Sequence, residues 1–100
     1  MSEEGQQVIK KKTIKAPWYL EWVRTLPCVV CGSWSQAHHL KGHGHGGTGK
    51  KVSDLWVMPL CAEHHAELHN HGHVTWERKY GKQEDYIMAT LRQALRRDKL

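Results

Sequence analysis

The chain has 100 residues and a formal charge of +5, from 15 Lys and Arg against 10 Asp and Glu. This length predicts one small domain with a modest core, a size at which metal sites often supplement packing, and the basic balance favours nucleic acid as a partner. No apolar run approaches the roughly 18 residues of a membrane span, and the opening MSEEGQQVIKKK lacks the apolar segment of a secretory signal, so we expect an intracellular protein without membrane association.

The N-terminal segment is polar and carries three consecutive lysines at 10–12. We therefore expect a basic flexible tail over 1–15, followed by a folded domain over 16–100. An arm that contacts phosphate groups is the functional alternative for the tail.

The stretch PWYLEWVRTL (17–26) predicts a helix. Pro17 suits the first helical position, and Leu26 ends the helix because a residue before proline avoids the helical region. Trp18 and Trp22 are four residues apart, so they form a stripe that we expect to face the core rather than to stack on bases.

The next predicted elements along the chain are a metal knuckle and a β-hairpin whose strands are joined by a long loop. CVVCG (28–32) has the pattern of a tight turn between two thiolates, and QAHHLK (36–41) is a strand candidate. The glycine-rich GHGHGGTGKK (42–51) predicts a loop, and DLWVMPL (54–60) predicts the second strand of the hairpin.

Three helical segments complete the chain. AEHHAELHN (62–70) contains good helix formers and ends near Gly72, a suitable C-terminal cap. TWERKYG (75–81) predicts one or two further helical turns, with Thr75 as the N-terminal cap. EDYIMATLRQALRRDKL (84–100) predicts an amphipathic helix with acidic residues at its start and basic residues near its end.

Four residues have the spacing of a structural zinc site. Three cysteines cannot all pair as disulfides, and two of them stand as Cys28-Val-Val-Cys31. Cys61 and His64 repeat the same spacing thirty residues later, which completes four tetrahedral ligands. The alternative is three unligated cysteines that pack as small core residues.

Further histidines remain once these four ligands are counted. His65 and His69 are four residues apart on the predicted helix, so both imidazoles emerge from one face and can share a second ion. His38 and His39 are adjacent in a predicted strand and point to opposite faces, so one can face a metal while the other faces a water or substrate as a general base. A pair of partly buried, hydrogen-bonded histidines is the alternative.

Taken together, the motifs PCVVCG, AHHLKG, VMPLC, CAEHH and AELH resemble an HNH endonuclease of the His-Me finger (ββα-metal) superfamily. More narrowly, they are similar to the phage and prophage branch that contains recombination-enhancement nucleases. The resemblance covers roughly residues 17–81. It implies an α+β fold: a small ββα-metal domain with a structural zinc knuckle, one catalytic divalent ion, and flanking N- and C-terminal helices. It also implies a DNA substrate in the cytoplasm of a bacterial host cell, with recombination or packaging proteins as further partners.

The resemblance assigns a role to each metal-ligating or catalytic position. His39 matches the family's general base, and His38 matches a ligand of the catalytic ion. His65 and His69 match the ligands that the helix supplies to that ion. The structural zinc set matches Cys28, Cys31, Cys61 and His64.

One position departs from the family's pattern. The middle Asn usually stands five residues before the cysteine that opens the helix, and here that residue is Trp56, with Asp54 two residues earlier. Asp54 either orients the imidazole of His39 through a carboxylate hydrogen bond or caps the start of the second strand.

The resemblance implies metal-dependent hydrolysis of a DNA phosphodiester, in which His39 takes a proton from the attacking water. Histidine ligands favour Zn²⁺, Ni²⁺ or Mn²⁺, whereas related enzymes also work with Mg²⁺, so the catalytic ion stays open among these four. The glycine-rich loop predicts phosphate contacts from Lys41, Lys50 and Lys51 with weak sequence preference.

Two interpretations from other classes stay open. A non-catalytic, zinc-stabilised nucleic-acid-binding module would need only the four zinc ligands, and the surplus histidines count against it. A histidine-rich metal-storage or sensor protein would bind metal without any requirement for His39. The oligomeric state is also open, since the amphipathic C-terminal helix offers a face for self-association.

Overall fold

Residues 14–40 and 53–100 are described by a computed structural model. In it, a two-stranded sheet packs against a helix that precedes it in the sequence and against helices that follow it. Its elements are α1 Pro17–Val23, β1 Gln36–His39, β2 Val57–Leu60, α2 Ala62–His71, α3 His73–Tyr80 and α4 Gln83–Arg96. The predicted α+β class, with helices flanking a hairpin, is confirmed at this level. Within the described ranges, no helix is long and apolar enough to cross a bilayer.

The two strands pair antiparallel, as the hairpin prediction requires. Gln36 lies opposite Leu60 and His39 opposite Val57. The second strand begins at Val57 rather than at residue 54 because the preceding residues form a turn, closed by the hydrogen bond of 3.0 Å from the Trp56 N–H to the Ser53 carbonyl. The strand itself is buried along its whole length.

The metal knuckle attaches to the edge of β2 that faces away from β1. Pro59, in the middle of β2, has no N–H to donate. Its carbonyl accepts a hydrogen bond of 3.0 Å from the Val29 N–H, which comes from the knuckle. The knuckle and the sheet are therefore connected through the backbone as well as through side chains.

Two groups of buried side chains form the core. The larger lies between the sheet, the knuckle and the later helices, and contains Cys28, Leu40, Met58, Leu60, Cys61, Leu68, Trp76 and Ile87. The smaller joins α1 to β2 and α4, and contains Ala16, Tyr19, Val23, Val57 and Ala94. Leu91 packs against both groups, so α4 links the two halves of the core.

The face that α1 buries differs from the prediction. Tyr19 and Val23 are fully buried, whereas Trp18 is 53% exposed. The expectation that Trp18 faces the core was therefore wrong, and Trp22 packs only at the margin of the smaller group. A short helix that is apolar on several sides does not define its buried face by spacing alone.

Gly72 joins α2 directly to α3. Its φ of +85° lies in the region that favours glycine. Its N–H donates to the Leu68 carbonyl at 2.9 Å and its carbonyl accepts from the Trp76 N–H at 3.1 Å, so one residue ends α2 and starts α3. The predicted cap at Thr75 was wrong, because the helix begins two residues earlier at His73.

We expect Tyr19→Phe to raise the free energy of unfolding by about 1 kcal/mol, because a buried hydroxyl without a partner is costly. Tyr19 is fully buried, and within the described residues its hydroxyl has no hydrogen-bond partner. Burial also raises the pKa of its phenol to about 12.

Urea denaturation measures the change caused by Tyr19→Phe. The matched control is Tyr86→Phe, which removes a hydroxyl that donates to the Tyr80 carbonyl, and which we expect to lower stability. A loss of stability in Tyr19→Phe would contradict the prediction.

Candidate functional site

The knuckle presents two cysteines from a tight turn. Gly32, at φ +79°, lets the chain reverse, and its N–H donates to the Cys28 carbonyl at 2.9 Å. The Cys28 N–H donates to the Ser33 carbonyl, also at 2.9 Å. The Val30 N–H approaches the Cys28 sulfur at 3.4 Å, and such N–H groups stabilise a thiolate. The turn therefore fixes Cys28 and Cys31 in positions from which both could ligate a metal ion.

The other half of the cluster is the first turn of α2. Cys61 caps the helix and accepts a hydrogen bond from the His64 N–H at 3.5 Å. The Cys61 sulfur lies 3.2 Å from His64 Nδ1 and 3.7 Å from the Cys31 sulfur. Tetrahedral zinc with Zn–S bonds of about 2.3 Å places two sulfurs about 3.8 Å apart.

All four ligand atoms of Cys28, Cys31, Cys61 and His64 lie within 4.8 Å of one another. The donor set of three thiols and one imidazole is typical of structural zinc. The structure thus confirms the predicted grouping of these four residues, and the cluster could hold a structural zinc ion.

The cysteines of this cluster differ in how readily they lose a proton. Hydrogen bonds from the side chain and backbone of Ser33 lower the pKa of the exposed Cys31 to about 6. Burial raises the pKa of Cys61 above its usual 9.0. Cys31 therefore ionises more readily than Cys61, and a thiol must be in its thiolate form to ligate a metal ion.

A second candidate site contains two histidines, His38 and His65, whose imidazole rings pack edge to face. His38 is buried in β1 with 6% of its surface exposed, and its ring centroid lies 4.7 Å from that of His65 on α2. His69 is exposed one turn further along α2. In residues 14–40 and 53–100, one group of three or more His, Cys, Asp or Glu side chains has all its potential ligand atoms within 4.8 Å of one another, and that group is Cys28, Cys31, Cys61 and His64. The structure brings His38 and His65 together, and the assignment of His69 stays a prediction.

The ring of His39 contacts the carboxylate of Asp54. The Nε2 atom of His39 lies 3.1 Å from Asp54 Oδ1, and the two side chains are 39% and 18% exposed. The other carboxylate oxygen accepts the Ala16 N–H at 2.8 Å, and the Asp54 N–H donates to the Ile14 carbonyl at 2.9 Å. Asp54 therefore makes the contact that the orienting interpretation requires, three residues before β2 begins at Val57.

The pKa of Asp54 lies below its usual 3.8. Burial works to raise it, but the hydrogen bonds from Ala16 and His39, together with the positive charges of His39 and Lys15, outweigh burial. Asp54 is therefore ionised at neutral pH and accepts hydrogen bonds as a carboxylate.

We expect Asp54→Asn to destabilise the domain at neutral pH and to flatten its acid unfolding. A carboxyl whose pKa is depressed by folding stabilises the protein above its unfolded value, and this stabilisation is lost as pH falls through the folded value. The wild type should lose more stability than the variant between about pH 5 and pH 2. Urea denaturation across this range measures it, with the exposed Glu63→Gln as control. Parallel curves for Asp54→Asn and wild type would contradict the assignment.

A family model described as "Protein of unknown function (DUF968)" matches residues 7–97. The chain belongs to the DUF968 family. The Escherichia coli (strain K12) protein described as "Uncharacterized protein YdfU" is 49% identical over 78 residues, which are 77% of this chain and 22% of the relative. The chain therefore spans about a fifth of that relative's length. No solved structure matches the chain.

In this DUF968 chain, α3 supports His64, a member of the candidate zinc cluster, with residues that the sequence did not single out. Trp76 donates its indole N–H to the His64 carbonyl at 3.2 Å, and the Tyr80 ring lies 5.4 Å from the His64 ring. Glu67 accepts the Tyr80 hydroxyl at 2.7 Å and the Lys79 ammonium at 3.0 Å. The available signal was that Trp76 and Tyr80 are four residues apart, which places both on one side of α3.

The predicted phosphate contacts Lys41, Lys50 and Lys51 lie outside the described residues. The same holds for residues 1–13 of the predicted tail. These two segments, 1–13 and 41–52, contain six of the fifteen Lys and Arg residues and two of the ten Asp and Glu residues. Much of the formal positive charge of this DUF968 chain therefore belongs to them.

Proposed function

We propose that this DUF968 chain is an HNH-type, metal-dependent DNA endonuclease domain with His39 as its general base. The observation that carries the proposal is the 3.1 Å contact between His39 and Asp54, one residue along β1 from a buried histidine. That histidine, His38, contacts the ring of His65 on α2. A carboxylate-oriented imidazole beside a pair of potential metal ligands supports hydrolytic chemistry better than it supports a purely structural site.

The proton chemistry follows from the His39 hydrogen bond. Because Asp54 accepts from Nε2–H, the neutral ring has its lone pair on Nδ1. Nδ1 takes a proton from a water molecule whose oxygen attacks the phosphorus in line, and the bond from phosphorus to the leaving 3′ oxygen breaks. The 3′ oxygen then takes up a proton from solvent. His39 is 39% exposed as a side chain, so a phosphate and a water can reach it.

The catalytic divalent ion would be held by His38, His65 and His69. When bound, it would supply positive charge that stabilises the phosphate as negative charge develops in the transition state. Neutral imidazole ligands leave the full charge of the ion available for this role. The ring contact between His38 and His65 supports the first two of these ligands.

The zinc cluster would position the catalytic helix. His64 and His65 are neighbours on α2, so an ion bound at Cys28, Cys31, Cys61 and His64 fixes the start of the helix that carries His65. We propose a structural Zn²⁺ for this site and Mg²⁺, Mn²⁺, Ni²⁺ or Zn²⁺ for the catalytic one.

The substrate in this proposal is DNA, bound with weak sequence preference. The formal charge of +5 supports a polyanionic partner. We further propose that the protein is encoded by a phage or prophage and acts in the bacterial cytoplasm in DNA recombination or processing. Recombination or packaging proteins would then be its partners.

The deciding experiment combines elemental analysis with plasmid cleavage. We expect zinc to copurify with the full chain, and supercoiled plasmid to be nicked or linearised once Mg²⁺, Mn²⁺ or Ni²⁺ is added. One zinc per chain without nicking by any of these ions would instead identify a non-catalytic, zinc-stabilised nucleic-acid-binding module.

A further inference from the structure

Trp34 is the most exposed of the large apolar side chains in the described residues. Its exposed fraction is 94%, compared with 63% for Leu95 and 57% for Val74. It belongs to neither group of core residues. An indole that contributes nothing to the core is available to bind a partner.

The backbone on both sides of Trp34 is held in place. On one side, Ser33 accepts the Cys28 N–H through its carbonyl at 2.9 Å and contacts the Cys31 sulfur through its hydroxyl at 3.0 Å. On the other side, the Ser35 hydroxyl donates to the Leu26 carbonyl at 2.6 Å. Trp34 therefore projects from a loop fixed between the metal knuckle and the segment after α1, which lowers the ordering cost of binding.

Trp34 lines a groove of about 440 Å³ between this loop and the end of α1. Leu26 and Pro27 form apolar parts of its wall, and Arg24 is its one charged residue. Arg24 is exposed, and within residues 14–40 and 53–100 no carboxylate pairs with its guanidinium. The groove therefore combines a flat aromatic surface with an unpaired positive charge.

We propose that Trp34 and Arg24 form a binding site for an unpaired nucleotide of single-stranded DNA. The base stacks on the indole of Trp34, and the adjoining phosphate pairs with the guanidinium of Arg24. The choice of DNA as the polymer rests on the proposed nuclease function. The site would direct the enzyme to DNA that contains single-stranded segments.

The charge of the groove favours this occupant over a second copy of the chain. In a two-fold symmetric dimer across the groove, both copies would present the same lining, which contains Arg24 and no carboxylate, so neither copy would supply the opposite charge. A phosphodiester strand supplies the opposite charge together with the aromatic base. Trp34 and Arg24 thus match the two parts of a nucleotide.

Fluorescence anisotropy with labelled oligothymidine, and with a duplex of the same length, tests the site in the full chain. We expect Trp34→Ala to weaken binding to the single strand by roughly 5- to 150-fold, the usual effect of losing one stacked base, and to change duplex binding little. Trp34→Phe should retain most of the affinity. Trp18→Ala is the matched control, since Trp18 is also exposed but does not line the groove.

An unchanged single-strand affinity in Trp34→Ala would overturn the inference. So would an equal loss on an abasic strand, which has phosphates but no bases, or the dissociation of a dimer by Trp34→Ala in analytical ultracentrifugation. Trp34-dependent binding without plasmid cleavage would refute the nuclease proposal and support this site. Cleavage that requires His39, combined with unchanged binding in Trp34→Ala, would refute this site alone.

Discussion

His64→Ala should unfold the domain, whereas the same substitution at the neighbouring His65 should leave it folded and inactive. His64 belongs to the cluster that could hold zinc, and structural zinc contributes about 10–16 kcal/mol of apparent binding free energy in small metal-dependent domains. That figure is comparable to the whole stability of a typical domain, about 5–15 kcal/mol. His65 is exposed on α2, and its ring contacts that of His38 in the candidate catalytic site.

Circular dichroism and zinc content distinguish the two variants. His65→Ala should retain the helical signal and its zinc, and His64→Ala should lose both. Treating the wild type with a strong chelator should reproduce the unfolding seen in His64→Ala. If His64→Ala stays folded with zinc bound while His65→Ala unfolds, the two histidines have the opposite roles.

His39→Ala should lower the cleavage rate by about 10²- to 10⁴-fold, the usual contribution of a positioned general base. His39 is half-exposed and lies at the end of β1, so its removal leaves both core groups intact. The fold and the metal content should therefore be those of the wild type. Single-turnover cleavage of plasmid at saturating metal measures the rate.

The matched control for His39→Ala is His71→Ala, which removes an exposed histidine at the end of α2. We expect wild-type cleavage from this variant. Cleavage that persists in His39→Ala would remove His39 as the base. Metal binding that is independent of His39, in a chain that never cleaves DNA, would identify a metal-storage or sensor protein instead.

The grouping of Cys28, Cys31, Cys61 and His64 was predictable in full from local spacing. Each half-site has its two ligands three residues apart, and only one pairing of the halves yields four ligands, so the prediction did not require the fold. The assignment of His64 and His65 to different sites was also predictable from local geometry, because neighbouring residues of a helix point in directions about 100° apart. The contact of His39 with Asp54 depended on the resemblance and on one unusual position, and the structure supplied its geometry.

The parts that were missed depend on long-range packing. Tyr19 rather than Trp18 is buried because the sheet and α4 pack against that side of α1. The sequence of α1 alone does not show which side they cover. The support of His64 by Trp76 comes from twelve residues away, and the four-residue spacing of Trp76 and Tyr80 shows that they share a side of α3 but not what that side contacts. The start of β2 at Val57 was missed because a four-residue turn precedes it within an otherwise apolar segment.

The hydrogen bond between Val29 and Pro59 has a consequence for the aggregation of the protein. The outward edge of β2 is an aggregation risk, since an uncovered strand edge pairs readily with other chains. Here the knuckle covers that edge, and the proline removes one of its donors. Removing zinc would release the knuckle and uncover a strand whose side chains are all apolar. Unfolding caused by metal loss should therefore lead to precipitation and be irreversible, and cells that lack zinc would accumulate the chain as insoluble aggregates.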